Sequence, residues 1–338
     1  MELNLIIRSM EEAGIRGITA ALFTQELFGE GEEFLVCLGV LPLPDARPAP
    51  SGAVGSIAPF ASRHRYRRIV TALRPLSRRI REELGIPKSA VRLFSNSSLP
   101  ERSLAAALGL GWVGRNGLLM NREYGSSFLI AGLAIDLSAV SPLPVSWTEL
   151  ERITSLDPPA DLYAGCGVCR ACVAACPAAA IAALSPEGGI DPDRCLQQLS
   201  TRPGLLPEAA RRVWGRRIYG CQSCQEVCPV NKQRRIRAES LPPEEEHRPL
   251  APLLIGFAEG RPLKELLPDT ALEASWVPRE AILRNLIIAA GESGDPTLAP
   301  LIRTFRDHPD EGVRREVALS LELLARKTGL PGGPGGVE

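Results

Sequence analysis

The chain has 338 residues, enough for about two domains at ~150 residues each. Hydrophobic residues make up 45% and charged residues 23%, which excludes a disordered chain, a collagen-like repeat and a small disulfide-stapled module. Lys+Arg and Asp+Glu both number 39, so a globally basic nucleic-acid binder is excluded, while a local basic face is not.

Residues 1–14 read as a short amphipathic helix, and Glu2, Glu11 and Glu12 leave no basic segment ahead of an apolar one. The longest apolar run, 128–135, is eight residues, against the ~20 that a spanning helix needs. A cytoplasmic, monomeric protein with no membrane contact is expected. A reducing compartment turns clustered cysteines toward metal or redox chemistry.

Residues 34–40 and 128–137 read as buried strands, with a Pro/Gly/Ala loop over 42–55. Tyr66, Ile69, Val70, Leu73, Leu76, Ile80 and Leu84 fall at helical spacing. The other face of that helix carries arginines from Arg63 to Arg81 with no acid among them. Another helix opens at Pro100-Glu101 and runs through Leu108. Residues 140–162 form a proline-rich linker with room for one helical turn. Beyond an acidic connector at 242–246, three apolar patterns mark helices around Ile282, Leu301 and Val317, spaced like a HEAT-type pair. The expected fold is α+β. Three consecutive domains follow: an α/β core over 1–150, a cysteine-rich module over 151–240 and a helical region over 241–330.

Gly109, Gly111 and Gly114 match a dinucleotide-binding fingerprint, which needs a strand before its turn and a helix after it. An alanine-rich helix comes first here, so the glycines read as a tight turn with close backbone packing.

Eight of the nine cysteines fall in two runs. Cys166, Cys169, Cys172 and Cys176 precede Pro177; Cys195 then leads to Cys221, Cys224 and Cys228 before Pro229. In two-cluster ferredoxins the cysteine before proline serves the other cluster. That rule assigns Cys166, Cys169, Cys172 and Cys228 to cluster one. Cluster two takes Cys176, Cys195, Cys221 and Cys224. A pair of zinc sites is the competing reading, but zinc ribbons need neither the third cysteine nor the trailing Cys-Pro. Two [4Fe–4S] clusters imply electron transfer. Cys37, alone in an apolar strand, reads as a small core hydrophobe.

These motifs, together with Glu101-Arg102-Ser103, Arg115-Asn116, Tyr124-Gly125-Ser126, Asn231 and Arg284-Asn285, resemble the epoxyqueuosine reductase family. The resemblance implies a nitroreductase-like core holding cobalamin against a ferredoxin-like module, with HEAT-like helices behind. It implies an enzyme that removes an epoxide oxygen from a base in a tRNA anticodon, fed by a ferredoxin- or flavodoxin-type donor. Corrinoid contacts are expected from Asn116, Tyr124 and Gln222, and a catalytic role from Arg102. The family's proposed proton donor is an aspartate, and seven residues before Arg102 this chain has Ser95. No carboxylate lies between Lys88 and Glu101, which leaves Asp136 as a candidate acid and puts the standard reaction in question. That departure leaves two substrates open, epoxyqueuosine in tRNA or a reassigned one. The rival reading is a non-catalytic double-cluster electron carrier for a partner docked on the helical tail. The arginines at 211–237 fit either an RNA phosphate surface or a solvated face.

Overall fold

The computed structural model describes residues 2–24, 33–154, 156, 164–181, 189–235, 246–274 and 276–328. The strands used below are β1 (Arg16–Thr24), β2 (Glu33–Pro42), β3 (Val54–Ile57), β4 (Val91–Phe94) and β5 (Trp112–Val113). They continue with β6 (Leu119–Met120), β7 (Phe128–Asp136), β8 (Arg152–Ile153), β9 (Arg217–Tyr219) and β10 (His247–Pro249). The helices begin with α1 (Leu3–Glu12), α2 (Arg65–Leu84), α3 (Glu101–Ala107), α4 (Ala171–Ala175) and α5 (Leu196–Leu199). The other helices used below are α6 (Ser223–Glu226), α7 (Pro229–Gln233), α8 (Leu250–Ala258), α9 (Arg279–Ser293), α10 (Ala299–Arg303) and α11 (Glu311–Thr328).

The chain divides into two compact units. The first comprises residues 1–44, 65–170 and 227–239; the second comprises 45–64, 171–226 and 240–338. Strand pairing explains part of the interleaving. β3, from the N-terminal half, pairs in parallel with β9 and antiparallel with β10. Residues 45–64 therefore join the second unit.

In the first unit a five-stranded sheet runs β4-β7-β2-β1-β8, antiparallel except for the β1–β8 pair. β2 is buried on both faces, which is why it reads as an unbroken apolar run. Leu35 and Cys37 face a core built with Ile6 and Met10 of α1 and with Ile69, Leu73 and Ile80 of α2. Phe34, Val36 and Leu38 face a second core with Leu104 and Ala105 of α3. The stretch expected to be a linker supplies a helical turn with Trp147 fully buried, and then β8 at the sheet edge.

The glycine-rich turn leads into the β5–β6 hairpin, a strand where a nucleotide site needs a helix. Gly111 is required there because a Cβ would overlap the Met120 carbonyl. In the second unit α9 and α11 pack together, and α9 is buried along most of its length. Among the described residues no helix is long and apolar enough to cross a membrane.

Candidate active site and iron–sulfur ligands

The first unit carries a cavity of about 450 Å³, within the range of small-molecule sites. α3 and the loop before it contribute Asn96, Ser97, Glu101 and Arg102; the hairpin contributes Gly117, Leu118 and Leu119. Ser126 and the start of β7 close it, with Tyr66 of α2.

The loop is held in an unusual shape. Asn96 adopts φ 56°, a left-handed conformation that asparagine tolerates better than most residues. The Glu101 carboxylate accepts from Asn96 N at 2.9 Å, Ser97 N at 2.7 Å and Ser97 Oγ at 2.9 Å. Among the described residues of the lining Glu101 is the only acid, and it serves there as an acceptor clamp. Ser95, 8% exposed, donates its hydroxyl to the Ile130 carbonyl at 2.8 Å, behind the cavity wall. Arg102 Nη1 donates to the Gly117 carbonyl at 2.6 Å, anchoring a cation at the rim.

The other expected residues lie elsewhere. Asp136 ends β7 and caps the following turn, accepting from Ser138 N and Oγ, and does not line the cavity. Tyr124 packs into the second core of the sheet. Asn116 is 2% exposed, and its Oδ1 accepts from Leu118 N within the hairpin turn. Gln222 lines a separate cavity of about 240 Å³ in the second unit, beside Cys221, Arg216 and His247. None of these four is brought to the first cavity.

Two links join that cavity wall to cysteine-bearing backbone of the same unit. Asn231, in the helix that follows Cys228, accepts from Ser126 N at 2.6 Å and donates to Ser126 Oγ at 3.0 Å. Gly125 makes room, since a Cβ there would overlap Asn231 Oδ1. On the other side, Arg115 of the hairpin donates to the Gly167 carbonyl at 2.8 Å. The Trp112 ring lies so close over Gly165 that a Cβ would overlap it. The Cys166–Cys169 turn is thus seated on the hairpin, which is what the glycine motif builds. Sequence reasoning did not find the Glu101 clamp, because its targets are backbone N–H groups that carry no sequence signature.

In the second unit Cys195 lies within electrostatic reach of Cys176 and Cys221, and Cys224 within reach of all three. Burial, then the neighbouring Cys221 and Cys176 thiols, raise the Cys195 pKa. Burial pushes Cys224 up to about 12, with Cys221, Cys172, Cys195 and Cys176 adding to it. Such a group resists ionisation in isolation and suits metal ligation, where the bound cations deprotonate the thiols outright. Cys221 N is held by Gln197 Oε1 at 3.3 Å and Cys176 Sγ accepts from Ala180 N at 3.1 Å. Cys37 stands apart. It is fully buried, with burial alone pushing its thiol up to about 12.

A family profile described as a 4Fe-4S double cluster binding domain matches residues 165–231. An epoxyqueuosine reductase of Vibrio cholerae is 33% identical over 285 residues, covering 81% of this chain and 69% of that protein. The chain belongs to the epoxyqueuosine reductase family. It is an iron–sulfur oxidoreductase of that family, with a double [4Fe–4S] binding domain. Its fold is shared with the Bacillus subtilis epoxyqueuosine reductase at TM-score 0.72 and 20% identity, over 96% of this chain and 92% of that one. That structure is described as having an aspartate-bearing catalytic loop swung out of the active site. A further epoxyqueuosine reductase structure, with an epoxyqueuosine-modified tRNA-Tyr stem loop, aligns at TM-score 0.70 and 21% identity over 95% of this chain and 90% of that one.

Proposed function

We propose that this epoxyqueuosine reductase family member reduces a modified nucleoside of tRNA in the 450 Å³ cavity, with electrons delivered through two [4Fe–4S] clusters. The observation that carries the reading is the Cys228–Asn231–Ser126 connection, which ties a cluster ligand to the cavity wall within one unit. Cluster one then takes Cys166, Cys169, Cys172 and Cys228, and cluster two takes Cys176, Cys195, Cys221 and Cys224. Cobalamin is the expected partner of the clusters. Leu118, Leu119, Phe128 and Leu129 offer an apolar wall against which a corrinoid would lie. When bound, the clusters would supply single electrons and the corrinoid a strongly reducing cobalt centre; losing the epoxide oxygen as water consumes two electrons and two protons.

The protein's own contribution is positional. Arg102, pinned to Gly117, presents a fixed cation at the rim for the substrate. Ser126 and Asn231 fix the wall on the cluster side. Where the family has its aspartate, this loop has Ser95, whose hydroxyl is not an acid at neutral pH. The proton for the departing oxygen therefore comes from water or from the substrate itself, and epoxyqueuosine is turned over slowly or replaced by a less demanding substrate. The nitroreductase-like core, the HEAT-like helices and a ferredoxin- or flavodoxin-type donor complete this reading.

The missing acid also favours a second reading, an electron carrier that binds no corrinoid. Anaerobic reconstitution separates the two. The reductase is expected to bind about eight irons, as two [4Fe–4S] clusters require, and to give a base-off EPR spectrum with cob(II)alamin. Full iron with no corrinoid signal would favour the carrier. Cys195→Ala is expected to keep about four irons, and retention of the full complement would overturn the ligand assignment.

A further inference from the structure

Helix α9 is an apolar core helix, yet its middle carries Arg284 and Asn285, 1% and 0% exposed. A buried guanidinium is costly unless its donors are met. Here they are met by the backbone on which cluster-two cysteines sit. Arg284 Nη1 donates to the Gly204 carbonyl at 2.8 Å, and Nη2 donates to the Leu199 carbonyl at 2.8 Å and to Asn285 Oδ1 at 2.9 Å. Asn285 Nδ2 donates to the carbonyls of Ser200 and Ile218, both at 3.0 Å.

Leu199 and Ser200 close helix α5, whose N-cap is Cys195. The last carbonyls of a helix have no partner inside it, so Arg284 and Asn285 cap α5 from outside. Ile218 lies in β9, just ahead of Cys221. The two segments are also joined directly, through Gly220 N to Ser200 Oγ at 3.2 Å and Cys221 N to Gln197 Oε1 at 3.3 Å. The Cys195 and Cys221 backbones thus form one hydrogen-bonded body with α9 as its spine. The guanidinium lies 5.8 Å from the Trp214 ring centroid, and its electrostatic partner Glu316 is itself paired with Arg211 at 2.5 Å.

We propose that Arg284 and Asn285 are positioning residues for the cluster held by Cys176, Cys195, Cys221 and Cys224, and that the Arg284 charge raises that cluster's reduction potential. This rests on the ligand set proposed above. Reduction adds one negative charge to the cluster, and a buried cation favours the more negative state. Water and salt screen such an interior attraction weakly.

The test is a redox titration of the reconstituted protein, followed by EPR, with Cys195→Ala identifying which signal belongs to cluster two. Arg284→Gln is expected to keep full iron and to lower one midpoint about tenfold in the one-electron equilibrium, or ~59 mV. The other midpoint stays put. Arg284→Lys keeps the charge and is expected to hold the midpoint, while losing cluster two faster to a chelator because one ammonium cannot span three acceptors. Glu316→Gln, which leaves Arg284 less compensated, is expected to move the same midpoint upward, and it serves if Arg284→Gln does not fold. Unchanged midpoints in loaded Arg284→Gln or Glu316→Gln would overturn the proposal. Full iron in Cys195→Ala would instead overturn the ligand set beneath it.

Discussion

Ser95 lies just behind the cavity wall, at the position where an acid is expected from the resemblance. It is nearly buried, and its neighbour is a backbone acceptor, the Ile130 carbonyl at 2.8 Å. An aspartate placed there meets that carbonyl best as the neutral acid, because burial and an acceptor both disfavour its charged form. Ser95→Asp is therefore expected to supply a proton donor and to raise turnover of epoxyqueuosine in tRNA, with ~10²–10⁴-fold as the ceiling. Equal rates for the two proteins in a single-turnover assay would place the proton source elsewhere. Cys37 makes the opposite point, a thiol kept out of chemistry. Its pKa is raised from 9.0 to about 12 in the folded protein, so between those values the native state holds a proton that the unfolded chain has lost. Its contribution to stability is intact below pH 9, falls by ~1.4 kcal/mol per pH unit above it, and is gone beyond about pH 12. Urea midpoints taken from pH 8 to 11 are expected to fall more steeply for the wild type than for Cys37→Ala, and parallel slopes would contradict this.

At the scale of elements, the β5–β6 hairpin joins two functions that sequence left separate. Its Gly117–Leu119 end lines the cavity, while Trp112 and Arg115 seat the turn that carries Cys166 and Cys169. Gly165→Ala would drive a methyl into the Trp112 ring. The expected result is loss of one cluster, about four irons of eight, with the sheet core untouched. Undiminished iron would mean that the turn repositions freely. The cysteine runs were legible because ligand spacing is a local, covalent constraint. β2 and β7 were legible because strands buried on both faces read as continuous apolar runs. β1 was not, since Arg16, Gly17, Thr19 and Thr24 leave Arg16–Thr24 without a long apolar run. The four-residue β4 is too short for any period to show. The cavity was hidden for a different reason: its walls come from separate stretches, α2, the Asn96 loop, the hairpin and β7, that only tertiary packing assembles.

Over the whole molecule the formal charge is zero, so any attraction for RNA depends on how the cations are distributed. The arginines at 211–217 each have partners within the chain, Arg211 and Arg217 in partly buried positions and Arg212 and Arg216 at the surface. Arg211 pairs with Glu316 and Glu292, Arg212 with Glu208, Arg216 with the Pro50 and Gly52 carbonyls and Arg217 with the Val213 and Trp214 carbonyls. That favours a structural use for this group over a phosphate surface. On helix α2, Arg67, Arg68, Arg74 and Arg78 are exposed along one side. Among the α2 arginines the surface pair Arg79–Glu83, at 2.7 Å, contributes little to stability. Tyr66 of the same helix lines the cavity, so this cationic side begins next to the proposed substrate site. If α2 holds the phosphates of a tRNA stem loop, each contact displaces counterions, and log Kd changes with log salt by ~0.7–0.9 per contact. Arg74→Glu with Arg78→Glu is expected to weaken stem-loop binding and to flatten that dependence by about 1.5. Iron content and cluster midpoints are expected to stay as in the wild type, since neither residue lies near a cysteine in the chain. An unchanged salt slope would assign α2 to a solvated face and move the RNA surface elsewhere on the molecule.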